Sequence, residues 1–401
     1  MLDVNKVRED FPFLKGGRIY LDSTATSLTP EPVLEKVLEY YRECRANVGR
    51  GIYSAAQAAT AAYEDARVEV AKLINAKPEE IVFVRNATEA INLVASGLKF
   101  REGEKIVTTI LEHHSNYIPW LRVKNTKKLE LSVVLSDMEG YLSPSDFAPH
   151  IDGRTRLVAV TQTSNVLGVR PPIKEIAKMA HDVGSLVLVD GAQSVPHKKV
   201  DVKEIDCDFL TFSGHKMCGP TGVGALYIKE GLQDLLEPLC IGGGSIEDVG
   251  IDYFRLRAGP GKYEAGTPPI AEAIGMGAAA KYLMDIGMEN IEDHERNLTR
   301  RMLKDLINTD GVTVYGPKDA DRRAGIVSFN LKGLNPHDVA VALDTSSGVM
   351  VRSGHHCALP LHKHILKSPN GTVRASVYLY NTDEDVDVFL ETLREISRSL
   401  T

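Results

Sequence analysis

The chain has 401 residues, with 47 Lys and Arg against 54 Asp and Glu, and carries a formal charge of −7 with its histidines neutral. That mildly acidic balance argues against an electrostatic nucleic-acid binder, and 43% hydrophobic with 25% charged residues describes a chain that buries a large core, not a disordered or fibrous one. At roughly 100 to 200 residues per domain, the length predicts two domains.

The five cysteines, Cys44, Cys207, Cys218, Cys240 and Cys357, are odd in number and widely spaced, and no pair has C-x-x-C separation. A disulfide framework is therefore not expected. The start, M-L-D-V-N-K-V-R-E-D-F-P-F-L, mixes charge with apolar residues and lacks the apolar stretch of a signal peptide. No run approaches the ~18 apolar residues of a membrane span. These features predict a cytoplasmic protein with reduced thiols.

In chain order, Pro30, Pro32 and the small polar residues 23–29 predict a crossing loop that lets residues 1–16 join the C-terminal part. A helix is expected over 55–74, then the strand I-V-F-V (81–84), then a helix opened by N-A-T-E-A-I-N-L-V-A. Strands follow at 105–110, 157–161, 185–190 and 209–213, and G-A-L-Y-I (224–228) returns from a Gly-Pro turn. Near-continuous apolar runs alternating with helical patterns are the signature of βαβ units with helices on both faces of a mostly parallel sheet. One long helical pattern begins near Ala271 and runs through N-L-T-R-R-M-L-K-D-L, after which strands resume near 312–315 and 325–331. The expected organisation is a large α/β domain over 17–285 and a smaller α+β domain over 286–401, joined by 1–16.

In open α/β sheets ligands sit beyond the carboxyl ends of the strands, so polar residues there carry the most weight. Asp190 ends S-L-V-L-V-D, where a semi-buried carboxylate either meets a cationic ring nitrogen or caps the next helix. F-S-G-H-K-M-C-G-P-T-G-V-G sets Ser213, His215 and Lys216 between a strand and a glycine-rich turn. An amine in a dry site loses its proton readily, as a Schiff-base lysine requires; the plain alternative is a surface or ion-paired lysine. The run matches neither a Walker loop nor a dinucleotide-binding fingerprint. The backbone N–H groups of Ala87 and Thr88, at a helix start, suit an anion such as phosphate, although T-E-A-I is equally good helix capping. In E-H-H-S-N (112–116) an imidazole can stack on a planar ligand or move protons, or be structural.

The densest cluster is R-S-G-H-H-C-A-L-P-L-H-K-H. It reads as a nucleophilic cysteine flanked by bases or as a metal site from His355, His356, Cys357, His362 and His364. Adjacent histidines rarely reach one metal with tetrahedral geometry, which disfavours the second reading. A buried, inert cysteine is disfavoured by the polar neighbours.

Taken in order, Y-L-D-S-T-A-T-S, A-T-E-A-I-N-L-V-A, E-H-H-S-N-Y-I-P-W, S-N-V-L-G, V-D-G-A-Q-S, S-G-H-K-x-x-G-P-T-G-V-G, G-G-G-S-I, Y-E-A-G-T-P and V-R-S-G-H-H-C-A resemble a group II cysteine desulfurase of the SufS type over nearly the whole chain. The resemblance implies the fold-type I, class V aminotransferase architecture, pyridoxal 5'-phosphate and a homodimer. By it, Lys216 would carry the cofactor as a Schiff base, Asp190 would pair with the pyridinium nitrogen and Gln193 would contact the ring hydroxyl. His113 would stack on the ring and assist proton transfer, while Thr88, Ser213 and His215 would hold the phosphate. Thr267 would reach the phosphate of the other protomer. Asn165, Arg352 and Arg374 would bind the substrate, Arg374 as a bidentate clamp for its carboxylate.

The implied reaction converts L-cysteine to L-alanine and leaves the sulfur on Cys357 as a persulfide. The compact loop around Cys357 implies transfer to a dedicated acceptor protein, of the SufE or SufU kind or an iron-sulfur scaffold, for iron-sulfur cluster assembly or another sulfur-transfer pathway. Selenocysteine lyase activity would be served by the same residues, as would cysteine-sulfinate desulfination. Two departures stand out: Asn86-Ala87 where relatives commonly read Gly-Thr, and Gly49 where they carry histidine. The first predicts weaker phosphate binding. Cys44, Cys207, Cys218 and Cys240 are expected to be structural thiols.

Overall fold

A computed structural model describes residues 2–400. Strand β1 (Ile19–Tyr20) is followed by β2 (Ile81–Val84), β3 (Lys105–Thr109), β4 (Glu130–Val134), β5 (Thr155–Thr161), β6 (Leu186–Asp190), β7 (Phe209–Ser213) and β8 (Gly224–Ile228). The last seven form one sheet in the order β2-β8-β7-β6-β5-β3-β4. Every neighbouring pair is parallel except those made by β8, which runs antiparallel to β2 and β7. A parallel crossover needs about a dozen residues or more, and the short Gly- and Pro-containing link after Ser213 instead turns the chain straight back.

Strands β2, β3, β7 and β8 are buried along their whole length, as the apolar runs require. Helices Ala87–Gly97 and Ile118–Lys127 cover one face, with fully buried Trp120 among them. Helices Ser54–Leu73, Ile173–Asp182 and Ile270–Ile286 contribute to the core on the other. The edge strand β4 escapes sequence reading because E-L-S-V-V is half exposed and carries no continuous apolar signal.

A hairpin, β9 (Ile246–Val249) and β10 (Phe254–Leu256), follows in the chain. The smaller sheet then takes β11 (Val312–Tyr315), β12 (Ile326–Leu331), β14 (Arg352–Gly354) and β15 (Thr372–Ser376) in the order β11-β12-β15-β14, all antiparallel. Strand β13 (Val349–Met350) pairs in parallel with β1, and Asp22 bridges to Ser376. Residues 19–20 thus form a two-stranded sheet with β13, Asp22 touches the edge of the four-stranded sheet, and the chain crosses to the larger sheet after them. Arg8 joins the same body through Asp385 at 2.8 Å.

The single long helical pattern is two helices, Ile270–Ile286 and Met288–Leu306. Gly287 separates them at φ 93°, a conformation open to glycine and costly for other residues. The first helix packs on the large-sheet core, and the second sends Leu298, Met302 and Leu303 into the core of the smaller sheet.

Gly371, just before β15, abuts Gly354 at the end of β14. Gly371 has φ 84°, and a Cβ there would lie 2.4 Å from the Gly354 carbonyl carbon. Gly371→Ala is therefore expected to lower unfolding stability by roughly 3 kcal/mol, from backbone strain plus overpacking. Denaturant titration of the variant against wild type checks this.

Candidate active site

The carboxyl ends of β2, β3, β5, β6 and β7 open onto a cavity of ≈ 250 Å³, the position that α/β sheets reserve for ligands. Around it stand Thr88, His113, Asn165, Asp190, Gln193, Ser213, His215, Lys216, Arg352, Cys357 and Arg374. These come from both sheets. Thr267 is the one expected site residue the chain does not bring there. It is exposed on the wall of a second, larger cavity of ≈ 710 Å³, with Asn47, Gly49 and Arg50.

At the floor, Asp190 is buried, and its Oδ1 accepts the Ala192 N–H at 3.0 Å. Burial raises its pKa, while that hydrogen bond and Lys216 work against the rise. Asp190 is thus a buried carboxylate facing a cation and is not spent as a helix cap. Lys216 keeps part of its surface open to the cavity and is otherwise enclosed by protein. Burial lowers its pKa; Asp190 and Cys357 oppose the change, and Arg374 and Arg352 add to it.

His113 follows β3 in a turn whose Nδ1 accepts the Ser115 N–H at 3.1 Å, so its ring proton sits on Nε2. Burial, Lys216 and His114 push its pKa down to about 3, and the imidazole is neutral. His215 is likewise held neutral by burial and Lys216, at about 4. Beneath the turn, Glu112 accepts Thr109 O–H at 2.6 Å, Asn116 Nδ2–H at 2.6 Å and Thr161 N–H at 3.0 Å. These bonds tie the histidine turn to β3 and β5.

Glu112 is wholly buried, and desolvation raises its pKa from 4.5 to about 8. Its folded pKa exceeds its unfolded value, so the native state holds the extra proton and this group costs stability as pH rises from 4.5 through about 8. Wild type should lose stability across that window relative to Glu112→Gln, at up to about 1.4 kcal/mol per pH unit. Denaturation midpoints measured from pH 5 upward test the slope, and parallel profiles would refute it.

On the anion side, helix Ala87–Gly97 points its N-terminus at the cavity. Asn86 caps it by accepting the Glu89 N–H at 2.9 Å, and the Ala87 N–H donates to Ser213 Oγ at 2.9 Å. Of the two backbone donors expected there, that of Thr88 remains for a ligand. Thr88 Oγ1 lies 2.7 Å from Ser115 Oγ, a contact outside the sequence reading although Ser115 stands inside E-H-H-S-N. Gly49, the other departure, has φ 93° and lies on the larger cavity; a histidine in that conformation would be strained.

Cys357 is exposed at the cavity rim, and both it and His356 are left-handed, at φ 55° and 49°. Such backbone costs of order 1–3 kcal/mol per residue and persists only where neighbours enforce it. Here the His356 carbonyl accepts Asn165 Nδ2–H at 2.7 Å, the Cys357 carbonyl accepts the His114 N–H at 2.6 Å, and the Leu359 N–H donates to His114 Nε2 at 3.1 Å. Asn165 and His114 therefore pin the cysteine loop to the large sheet. His114 stands in a motif that sequence reading assigned to His113 alone.

Three histidines of the cluster are engaged elsewhere. His355 Nε2 bonds the Pro369 carbonyl, His356 Nε2 bonds Thr372, and His362 Nδ1 bonds the Ala358 carbonyl. Among the described residues, no three His, Cys, Asp or Glu side chains converge on a metal position. All five cysteines are unpaired. Cys207 and Cys218 are buried; Cys240 is exposed, unlike the structural thiol expected.

The cavity suits pyridoxal phosphate on its own terms. It offers a carboxylate for a cationic ring nitrogen, a lysine with a lowered pKa, a neutral imidazole, and hydroxyls beside a helix N-terminus for phosphate. Gln193 Oε1 and Thr24 Oγ1 are buried without partners, and polar atoms left so in a native fold point to a ligand.

Comparison with known proteins agrees. The family model for aminotransferase class-V matches residues 19–389. A probable cysteine desulfurase of Pyrococcus abyssi is 49% identical over 397 residues, 98% of each chain. The apo structure of the cysteine desulfurase from Thermococcus onnurineus NA1 superposes with a TM-score of 0.96 at 48% identity, covering 100% of this chain and 99% of that one. The Escherichia coli cysteine desulfurase CsdA, in its S-sulfonic acid form, gives 0.92 at 34% identity with both chains fully covered. Among the described residues no helix is long and apolar enough to cross a membrane. The chain belongs to the aminotransferase class-V family and groups with its pyridoxal-phosphate-dependent cysteine desulfurases.

Proposed function

We propose that the protein takes sulfur from L-cysteine, releasing L-alanine and carrying the sulfur on Cys357 as a persulfide. One observation carries this reading: an exposed cysteine on a strained, pinned loop shares a cavity with a lysine whose charge it influences. Lys216 and Asp190 at the floor, and Arg374 at the wall, give that cavity the groups an amino acid with a transferable side chain needs.

Pyridoxal phosphate, when bound, supplies a ring that draws off negative charge developing at the substrate Cα. Asp190 would hold the ring-nitrogen proton, Gln193 the ring hydroxyl, and Thr88, Ser213 and His215 the phosphate. Arg374, with Asn165 and Arg352, orients the substrate through its carboxylate. Lys216 Nζ, whose pKa burial lowers, takes the proton from Cα and returns one to the product. His113 Nε2, on a ring kept neutral, is placed to relay a proton. Cys357 Sγ attacks the substrate sulfur; the S–S bond forms as the Cβ–S bond breaks, and the Cβ electron pair is protonated to give alanine.

A second copy of the chain belongs to this reading. Val249, Ile251, Tyr253 and Phe254 of the hairpin are exposed together, an apolar surface that a partner would cover. Thr267, on the larger cavity, would then reach the partner's phosphate. From Cys357 the sulfur passes to an acceptor protein of the SufE or SufU kind, or an iron-sulfur scaffold, for cluster assembly or another sulfur-transfer pathway. Five unpaired thiols suit a reducing cytoplasm. The test is alanine production from L-cysteine by cofactor-loaded protein, with the mass of one added sulfur sought on the Cys357 peptide. Absence of both overturns the reading.

A further inference from the structure

We propose that Ser115 is a further cofactor-binding residue: its hydroxyl, braced by that of Thr88, donates to the phosphate at the start of helix Ala87–Gly97, where position 87 has no donor to give.

A phosphate needs several donors, and this helix start is short of them. Asn86 is spent on the Glu89 N–H, the Ala87 N–H is spent on Ser213 Oγ, and the Ala87 side chain is a methyl group. The Thr88 N–H remains, as does the hydroxyl hydrogen of Ser213, which acts as acceptor toward Ala87. The histidine turn adds a further donor. Ser115 stands in the short helical turn His114–Asn116, and its Oγ lies 2.7 Å from Thr88 Oγ1. Two hydroxyls in contact share one hydrogen and have one to spare. With the Thr88 hydrogen turned to Ser115 Oγ, the spare hydrogen belongs to Ser115, and the bond it accepts makes it a stronger donor. Both residues line the cavity.

The hydroxyl is held in place by what surrounds it. Asn116, the next residue, is fully buried, donates to Glu112 at 2.6 Å and accepts Trp120 Nε1–H at 3.0 Å. The Ser115 N–H donates to His113 Nδ1 at 3.1 Å. One residue therefore fixes the His113 tautomer through its backbone and meets the anion through its side chain. Elsewhere on the same cavity wall, Gln193 Oε1 and Thr24 Oγ1 are buried without partners, an independent mark of a ligand-binding cavity.

This inference rests on the reading that the cavity takes pyridoxal phosphate with its phosphate at this helix. Full-length wild type, Ser115→Ala and Ser115→Thr, stripped of cofactor, are titrated with pyridoxal phosphate and with pyridoxal, and the visible band of the lysine-linked aldehyde gives each affinity. Ser115→Ala should weaken pyridoxal phosphate by about tenfold or more and leave pyridoxal within about threefold of wild type, because a hydrogen bond to a charged group is among the stronger ones. Ser115→Thr, which keeps the hydroxyl, should stay within about threefold for both. An unmoved ratio of the two affinities in Ser115→Ala overturns the proposal. So does an equal loss for both aldehydes, which marks a role through the His113 turn. Should Ser115→Ala not fold, Ser115→Cys decides: its thiol is a weak donor of similar shape, and an unchanged ratio refutes the phosphate contact. Wild type that binds neither aldehyde overturns the cofactor reading and the proposal together, whereas wild type that binds both with a ratio indifferent to Ser115 overturns the proposal alone.

Discussion

Lys216→Ala is expected to reduce alanine formation from L-cysteine by roughly 10³-fold or more, because in the proposed reaction one side chain supplies both the amine that joins the cofactor and the base at the substrate Cα. The environment makes this residue hard to replace. Burial lowers its pKa while Asp190 keeps a counter-charge nearby, so the amine loses its proton more readily than a solvated lysine and, while charged, is not an unpaired cation. Lys216→Arg should fail nearly as badly, since a guanidinium keeps its charge and cannot act as a base. Cofactor absorbance separates the effects: both variants should lose the visible band of lysine-linked pyridoxal, while thermal unfolding stays near wild type. An alanine variant that kept most of its turnover would remove Lys216 from the chemistry.

The second large effect is at Cys357. Cys357→Ala should cut alanine formation from L-cysteine by about 10² to 10⁴-fold and abolish persulfide, leaving cofactor binding intact, because the thiol touches only the leaving sulfur. Release of selenide or sulfinate does not require a nucleophilic thiol, so L-selenocysteine and L-cysteine sulfinate should lose far less. Equal alanine from L-cysteine in wild type and variant would place Cys357 outside the mechanism. The loop bonds give the effect a structural counterpart. Asn165 and His114 hold residues 356 and 357 in left-handed backbone at the rim, so the sulfur is presented at a set position and not on a swinging loop.

Much of the large sheet could be read from its residues. I-V-F-V, L-V-A-V-T and F-L-T-F-S are apolar on both faces because helices cover both faces, and that burial leaves a direct trace in composition. Strand β4 and the hairpin β9–β10 left little trace, being partly or largely exposed. The C-terminal strands β13 to β15 are short segments; β13 finds its partner in β1, more than 300 residues away, while β14 and β15 pair with each other. Only the assembled sheet gives them partners. The break at Gly287 was equally hidden, since helical periodicity continues on both sides of it.

For the cavity, local chemistry at strand ends pointed to Asp190, Lys216 and the histidine turn, and the order of motifs along the chain pointed to the rest. What that order did not contain was which atoms meet. Asp22 pairs with Arg374 across 352 positions, and His114 accepts the Leu359 N–H across 245, clamping the cysteine loop to the large sheet. Glu112 lies next to His113 in sequence, yet its high pKa comes from burial among Thr109, Asn116 and Thr161.

The sequence by itself determined the fold class and the family and pointed to the side chains proposed to be chemically active, because apolar periodicity and short motifs are local properties that survive without coordinates. The tertiary structure decided the strain at Cys357, the protonation of Glu112 and His113 and the lowered pKa of Lys216. Those depend on distance and on exclusion of water, and both arise only when segments hundreds of residues apart are packed against one another.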